Sequence, residues 1–303
     1  TGVRQECILS PFLFTVVIDH ILARQEGKDY GLAINGQKIF DMDFADDIAI
    51  LETSNERLQQ CTDELRDAAE KVGLRFNAKK CETMCTPGHK VHVKIGEEDV
   101  KQTESFTYLG SKISNCGKAS QEITCRIGKA RAAFGKLNNI LTSKSLKLHT
   151  RLQIYNATTI SILLYGSETW QLYASEIKKL NAFHRGCLRK MLGISYKDRV
   201  TNVEVMKKTG AKELFDMITE RRLRWFGHVA RMGEDRFPNR VLTWRPSGKR
   251  KRGRPKLSWS ECVKRDIKKV GLTWDDAIDA AHDRRTWKFV KAQCASGAGW
   301  TKV

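Results

Sequence analysis

Ile39-Phe40-Asp41-Met42-Asp43-Phe44-Ala45-Asp46-Asp47-Ile48-Ala49-Ile50-Leu51 is apolar at both ends and acidic in the middle. β-Branched and aromatic residues stand on both sides of Asp46-Asp47. That composition predicts a hairpin with the two acids at its tip. Two adjacent carboxylates between buried strands are costly unless something neutralises them. A divalent cation would do so: Mg²⁺ prefers oxygen ligands and is commonly held by one or two carboxylates together with substrate phosphates. The plainer reading is a polar turn, where Asp is common.

Outward from this stretch, Ser10-Pro11 reads as a helix start, with Leu13, Phe14, Val17, Ile18, Ile21 and Leu22 at helical spacing behind it. Residues 27–36 read as a loop. Thr53-Ser54-Asn55-Glu56 reads as a capping box. It would open a helix with Leu58, Cys61, Leu65, Ala68 and Val72 on one face, stopped by Gly73. Short strands are expected at 74–77, 91–95 and 106–109, so the chain is mixed α and β to about Ser114. Beyond that, helical periods dominate. Ile123, Ile127, Ala130, Phe134, Leu137 and Leu141 form one set, and Leu148, Leu152 and Tyr155 a second. Ile177, Leu180, Phe183, Cys187, Leu188 and Met191 form a third. Further helices are expected at about 214–232, 258–270 and 273–290, the last with Thr273 as cap and Asp275-Asp276 in its first turn.

The 303 residues are 41% hydrophobic, enough to build one large core or two ordinary ones. Lys and Arg number 54 against 35 Asp and Glu, a net charge of +19 that calls for a polyanionic partner. A membrane-spanning role is excluded on length, because the longest apolar stretch, Ile160 to Tyr165, is far short of the roughly 20 residues needed. No secretory leader is visible at Thr1-Gly2-Val3-Arg4. Nine scattered cysteines form no disulfide framework and read as reduced thiols of an intracellular protein.

Gly2-Val3-Arg4-Gln5, Phe44-Ala45-Asp46-Asp47, Gly73-Leu74-Arg75-Phe76-Asn77 and Phe106-Thr107-Tyr108-Leu109-Gly110 stand in an order that resembles a reverse transcriptase of the non-LTR, LINE-like retrotransposon type. Gly2-Val3-Arg4-Gln5-Glu6-Cys7-Ile8-Leu9-Ser10-Pro11 is similar to the family's template-side motif, and Phe44-Ala45-Asp46-Asp47 to its catalytic box. Gly73-Leu74-Arg75-Phe76-Asn77-Ala78-Lys79-Lys80 resembles the segment that follows, and Phe106-Thr107-Tyr108-Leu109-Gly110 the primer-grip hairpin. Three later stretches are similar to the tail of endonuclease-reverse transcriptases, some labelled craniofacial-development-protein-2-like: Tyr165-Gly166-Ser167-Glu168-Thr169-Trp170, Cys187-Leu188-Arg189 and Arg222-Leu223-Arg224-Trp225-Phe226-Gly227-His228-Val229.

The resemblance implies an RNA-directed DNA polymerase acting by two-metal nucleotidyl transfer with Mg²⁺, on an RNA template, a DNA primer or target and a dNTP. It makes Asp46 and Asp47 the catalytic and metal-holding pair. Arg4, Gln5 and Lys80 would lie against the template and incoming nucleotide, and Tyr108, Leu109 and Gly110 would hold the primer end. The implied fold is α+β. A partial right-hand polymerase palm (1–114) would be followed by a helical thumb (115–195) and a small basic helical C-terminal domain (196–303) with a linker at 245–257. Two departures matter. The family has Gly where this chain has Glu6, and Gly there allows close backbone approach. The family's first catalytic aspartate lies upstream of Gly2-Val3-Arg4. The chain is therefore expected to be a fragment that does not polymerise alone, with an unpaired sheet edge where upstream palm strands would lie. The alternative is a non-catalytic nucleic-acid-binding remnant of a retrotransposon.

Arg221, Arg222, Arg224 and Arg231 share a helix with Trp225 and Phe226. Arg222, Arg224 and Trp225 are candidates for phosphate and base contact, set against the plain reading of an amphipathic helix with a solvated Arg face. Residues 245–256 contain seven basic side chains and no acid. Lys251, Arg252 and Arg254, in an Arg-Gly-Arg context, fit binding of a nucleic-acid backbone and also a nuclear-localisation patch. Cys81, Cys85, His89 and His92 have zinc-binding side chains at the wrong spacing. His184 and Cys187 read as core, with His184 partly buried.

Overall fold

The computed structural model describes residues 7–23, 28–244 and 257–296. The chain divides into two compact units, residues 1–117 and 118–303.

The first unit is mixed α and β. Helix α1 (Ser10–Ala23) starts where Ser10-Pro11 predicts. It is followed by β1 (Leu32–Ile34), β2 (Gln37–Ile39), β3 (Asp41–Phe44) and β4 (Asp47–Ile50). These pair as two hairpins, β1 with β2 and β3 with β4. The first hairpin corrects the loop expected at 27–36. Asn35 and Gly36 carry φ of 48° and 79°, the pattern of a type I′ turn, and the Asn-Gly pair is the signal for it in the sequence.

Helix α2 (Asn55–Lys71) is capped by Ser54, one residue after Thr53, and its N3 residue is Arg57, so the expected capping box does not form. The Arg57 N–H donates to Ser54 Oγ at 3.2 Å, while Ser54 Oγ donates to Glu56 at 2.7 Å. Cys61, Leu65 and Ala68 are buried as their spacing predicts. Val72 is 41% exposed, because the helix ends one residue earlier. No strand forms at 74–77; Leu74 and Phe76 reach the core from irregular chain.

The remaining strands are β5 (Glu82–Thr83), β6 (Lys94–Ile95), β7 (Glu98–Asp99), β8 (Lys101–Gln102), β9 (Ser105–Tyr108) and β10 (Ser111–Ser114). β5 pairs parallel with β8, and the pairs β6 with β7 and β9 with β10 are antiparallel. Every sheet among the described residues is two-stranded, so each leaves unpaired edges. The core gathers Ile18, Ile21, Leu22, Tyr30, Cys61 and Leu65, with Phe40, Ile48 and Ile50 leaning on it.

Among the described residues of the second unit the regular elements are helices. Helices α3 (Ser120–Lys136), α4 (Asn138–Leu141), α5 (Leu148–Tyr155) and α6 (Ser161–Leu163) come first, and a π turn at Asn156–Ile160 joins the last two. Next come α7 (Ala174–Leu192), α8 (Asn202–Thr209), α9 (Leu214–Ala230) and α10 (Phe237–Thr243). The unit closes with α11 (Trp259–Lys268), α12 (Trp274–His282) and α13 (Arg284–Ser296). The single helix expected at 273–290 is thus two. Asp283 breaks it, and its carboxylate accepts from the N–H groups of Arg285 and Thr286 to start α13.

Two apolar clusters fill this unit. One centres on Tyr155, Leu163, Leu164, Leu180 and Leu188, the other on Leu223, Phe226, Val263, Ala277 and Trp287. Helix α9 serves both, through Leu214 and Ile218 in the first and Leu223 and Phe226 in the second. No helix among the described residues is long and apolar enough to cross a membrane.

Candidate active site

The acidic tip is formed by strand pairing. Phe44 and Asp47 are the last register partners of β3 and β4, which leaves Ala45-Asp46 as a two-residue loop. Ala45 takes φ of 56°, an uncommon conformation for a residue with a side chain, and the tight loop imposes it. Asp46 and Asp47 are both exposed. Ile48 and Ile50 of β4 point to the core, so the pleat anchors the strand and presents the acids.

The base of the hairpin is clamped by a group the sequence reading missed. Glu52 follows β4, and its side chain is only 1% exposed. Its carboxylate accepts from the N–H of Gly31 at 2.7 Å and of Thr53 at 2.9 Å, with Arg57 Nε at 3.5 Å. Burial alone would raise its pKa; the two N–H groups and Arg57 outweigh burial and hold it below the usual carboxylate range. Gly31 is required here. Its φ is 96°, and a Cβ would stand 2.3 Å from the Ile39 carbonyl oxygen.

The β9–β10 hairpin meets the acidic one. Tyr108 Oη donates to the Met42 carbonyl at 3.0 Å. Burial raises the Tyr108 pKa, and the negative charges of Asp47, Asp43 and Asp41 raise it further, so the hydroxyl lies in the field of the acidic hairpin. Leu109 and Gly110 form the connecting turn with φ of 46° and 78°. Leu109 is 40% exposed at its apex. Lys80 is exposed on the turn after Asn77, and its N–H donates to the Asn77 carbonyl at 2.9 Å. Arg4, Gln5 and Glu6 lie outside the described residues.

The donor chemistry of Asp46 and Asp47 fits Mg²⁺: two adjacent, solvent-accessible carboxylates offering oxygen ligands. The ion pairs of this unit engage Asp29, Glu52, Asp63, Glu64, Asp67 and Asp99 instead. Among the described residues no third His, Cys, Asp or Glu joins the pair in a cluster of metal-binding size. In the set whose spacing is wrong for zinc, Cys85 Sγ donates to the His89 carbonyl at 2.9 Å and His92 faces Asp99 at 3.3 Å.

The basic helix α9 corrects one expectation outright. Arg222 is 1% exposed, and its guanidinium lies 2.7 Å from Asp266 on α11. It also donates to the Trp170 carbonyl at 3.2 Å. A buried guanidinium satisfied in this way is not available to phosphate. Arg224 is exposed and faces Glu220 at 3.5 Å, and Trp225 lies half-buried beside His228. Gly227 is packed under the Trp287 indole: a Cβ there would come 2.1 Å from Trp287 Nε1, which donates to the Leu223 carbonyl. The stretch at 165–170 is where α9 and α11 dock, since Trp170 accepts from Arg222 on α9 and Glu168 from Trp259 on α11. His184 is 2% exposed, deeper than expected, with Nδ1 at 2.8 Å from the Tyr155 hydroxyl. Lys251, Arg252 and Arg254 lie outside the described residues.

Residues 1–113 match the family model of the reverse transcriptase (RNA-dependent DNA polymerase). The chain is similar to a transposon-derived protein of Caenorhabditis elegans, 24% identical over 275 residues, covering 86% of this chain and 97% of the relative. It is also similar to the Pol polyprotein of the type-2 retrotransposable element R2DM of Drosophila melanogaster, 26% identical over 221 residues, covering 69% of this chain and 20% of the relative. A third relative is the Pol polyprotein of the type-1 retrotransposable element R2 of Nasonia vitripennis, 32% identical over 120 residues, covering 40% of this chain and 11% of the relative. The similarity of the N-terminal part of the chain is thus to reverse transcriptases and to Pol polyproteins of retrotransposable elements.

Proposed function

We propose that residues 1–114 belong to the palm of an RNA-directed DNA polymerase, with Asp46 and Asp47 as its metal-holding acids. The observation that carries this reading is the Tyr108 bond to Met42, which joins the primer-grip-like hairpin to the acidic hairpin. Bound Mg²⁺ supplies activation of a primer 3′-oxygen and neutralisation of phosphate charge. The chain's own residues do the positioning. Asp46 and Asp47 present oxygen donors from a rigid tip, Tyr108, Leu109 and Gly110 hold the primer end, and Lys80, Arg4 and Gln5 lie along the nucleotide and template. Residues 115–195 act as a thumb. Residues 196–303 add a basic helical domain in which Arg224, Trp225, Lys251, Arg252 and Arg254 contact nucleic acid, and the 245–257 linker serves as a nuclear address.

The chain alone does not polymerise, because two adjacent carboxylates are fewer donors than two metal ions require. The same shortage favours a second reading, a nucleic-acid-binding remnant. Two assays test these proposals on the full chain. Mn²⁺ titration followed by electron paramagnetic resonance should show binding that Asp46→Asn weakens at least about tenfold; equal binding in the variant removes the metal assignment. Primer extension on an RNA template should give no product, and extension abolished by Asp46→Asn would overturn the inactivity.

A further inference from the structure

The loop joining α7 to α8 is short, tied down and basic. Gly193 closes α7 with φ of 68°. The Ser195 N–H donates to the Asp198 carboxylate at 2.6 Å, which ties Tyr196–Asp198 into a tight turn. Arg199 follows at φ of 50°, a left-handed conformation that glycine adopts freely and Arg does not. The Thr201 N–H donates to the Glu204 carboxylate at 2.8 Å and opens α8. Both acids between residues 189 and 208 are therefore engaged with backbone N–H groups. The six cations of that stretch are Arg189, Lys190, Lys197, Arg199, Lys207 and Lys208. Arg189 donates to the Val200 carbonyl and to Asn202. The neighbouring ion pairs, Arg185 with Glu213 and Lys212 with Glu220, do not draw on Lys197 or Arg199.

Tyr196 stands at the apex of this turn, 98% exposed. An open cleft of about 710 Å³ lies against it, walled by Arg189, Lys197 and Arg199 and floored by Ile194 and Val200. So exposed a ring adds nothing to the core. Displayed on a rigid turn between cations, it matches what an unpaired base and its flanking phosphates require. We propose that this loop is a subsite for single-stranded nucleic acid, in which Tyr196 stacks on an unpaired base while Lys197 and Arg199 take the adjacent phosphates. A duplex is a poor occupant, because its base faces are already stacked. The inference rests on the nucleic-acid reading above but not on the acidic pair.

The test is fluorescence anisotropy of the full chain with a short labelled oligo-uridine RNA, in EDTA. Tyr196→Ala should weaken binding about tenfold, while Tyr196→Phe, which keeps the stacking face, should bind as the parent does. Arg199→Gly should flatten the slope of log K against log salt by about 0.7 while keeping or raising the melting temperature, which separates lost charge from lost structure. Parent-like affinity in Tyr196→Ala, absence of RNA binding by the parent, or an equal loss on a perfect duplex overturns the subsite. Self-association abolished by Tyr196→Ala, with RNA binding intact, would overturn it in favour of a contact between copies. The RNA assay is run in EDTA and the Mn²⁺ assay without RNA, so failure of the metal assignment is read separately.

Discussion

The two units of the chain cover their apolar side chains unequally. Among the described residues, ten of the seventeen large exposed hydrophobic side chains fall in the first 117 positions, Ile8, Phe12, Phe44 and Leu109 among them. The second unit, although longer, has only seven, and it buries ionisable groups as well: Glu122 with Arg126, Arg222 with Asp266, and His184. The difference follows from secondary structure. A helix satisfies its own backbone and needs only its apolar stripe covered, which the helices of the second unit do for one another. A two-stranded sheet leaves an edge and a face open, and such sheets are marginal by themselves. The acidic pair sits on one of those open hairpins. The acids proposed to hold metal are thus displayed where the core covers least, and charge that is well covered, as in Arg222, is structural.

That contrast predicts that damage to each unit stays local and differs in size. The largest effect is expected in the second unit. Arg222→Ala leaves Asp266, at 2% side-chain exposure, with only the longer contacts to Thr219 and Lys269, and the loss should be about 3–5 kcal/mol by chemical denaturation. Replacing Arg222 and Asp266 together by Met and Leu should recover most of it; failure to recover would mean that the pair specifies the docking of α9 on α11 and is not merely tolerated.

Next is Gly31→Ala in the first unit. Positive φ and the collision with the Ile39 carbonyl should cost about 3 kcal/mol, abolish the Glu52 clamp and lower Mn²⁺ affinity at Asp46 and Asp47. Calorimetry should show the change confined to one of two transitions. A single transition shifted as a whole would break the two-unit comparison.

A pH effect of comparable or smaller size belongs to the second unit. Burial holds His184 at about 4, below its ordinary 6.5. The unfolded chain takes up this proton as pH falls through 6.5, and the folded chain resists until about 4. Stability from this group is full above 6.5 and is lost between 6.5 and 4, by about 3 kcal/mol at most. His184→Gln should flatten the curve, and an unchanged slope would assign the loss elsewhere. The smallest effect is Leu109→Gly, which relieves a left-handed residue at φ of 46° and should stabilise the first unit by about 1 kcal/mol.

Much of the helical scaffold was legible before the structure. Leu180, Leu188 and Met191 recur at the period of one helix face, and they are buried. Thr273 caps its helix as read, through the Asp276 N–H. Boundaries were less legible. Ser54 and Thr53 are both good caps, and only the path out of Glu52 selects Ser54. Asp283 lies inside an unbroken helical period, so nothing local marks it as a break. The candidate site was half visible. Asp46 and Asp47 were read from their flanks, but Gly31, Glu52 and the Tyr108–Met42 bond join positions far apart in sequence.

Sequence alone determined the hairpin with acids at its tip, the helix faces, the basic charge and the order of motifs that match a reverse transcriptase. Those properties are periodic or local, and they survive without knowledge of neighbours. Tertiary structure decided which cations are spent and which are free. Arg222 and Arg224 are two residues apart on one helix and read alike, yet one is sealed against Asp266 and the other faces solvent. A side chain's charge is written in the sequence, but its availability depends on what packs over it, and that is settled only when distant elements meet.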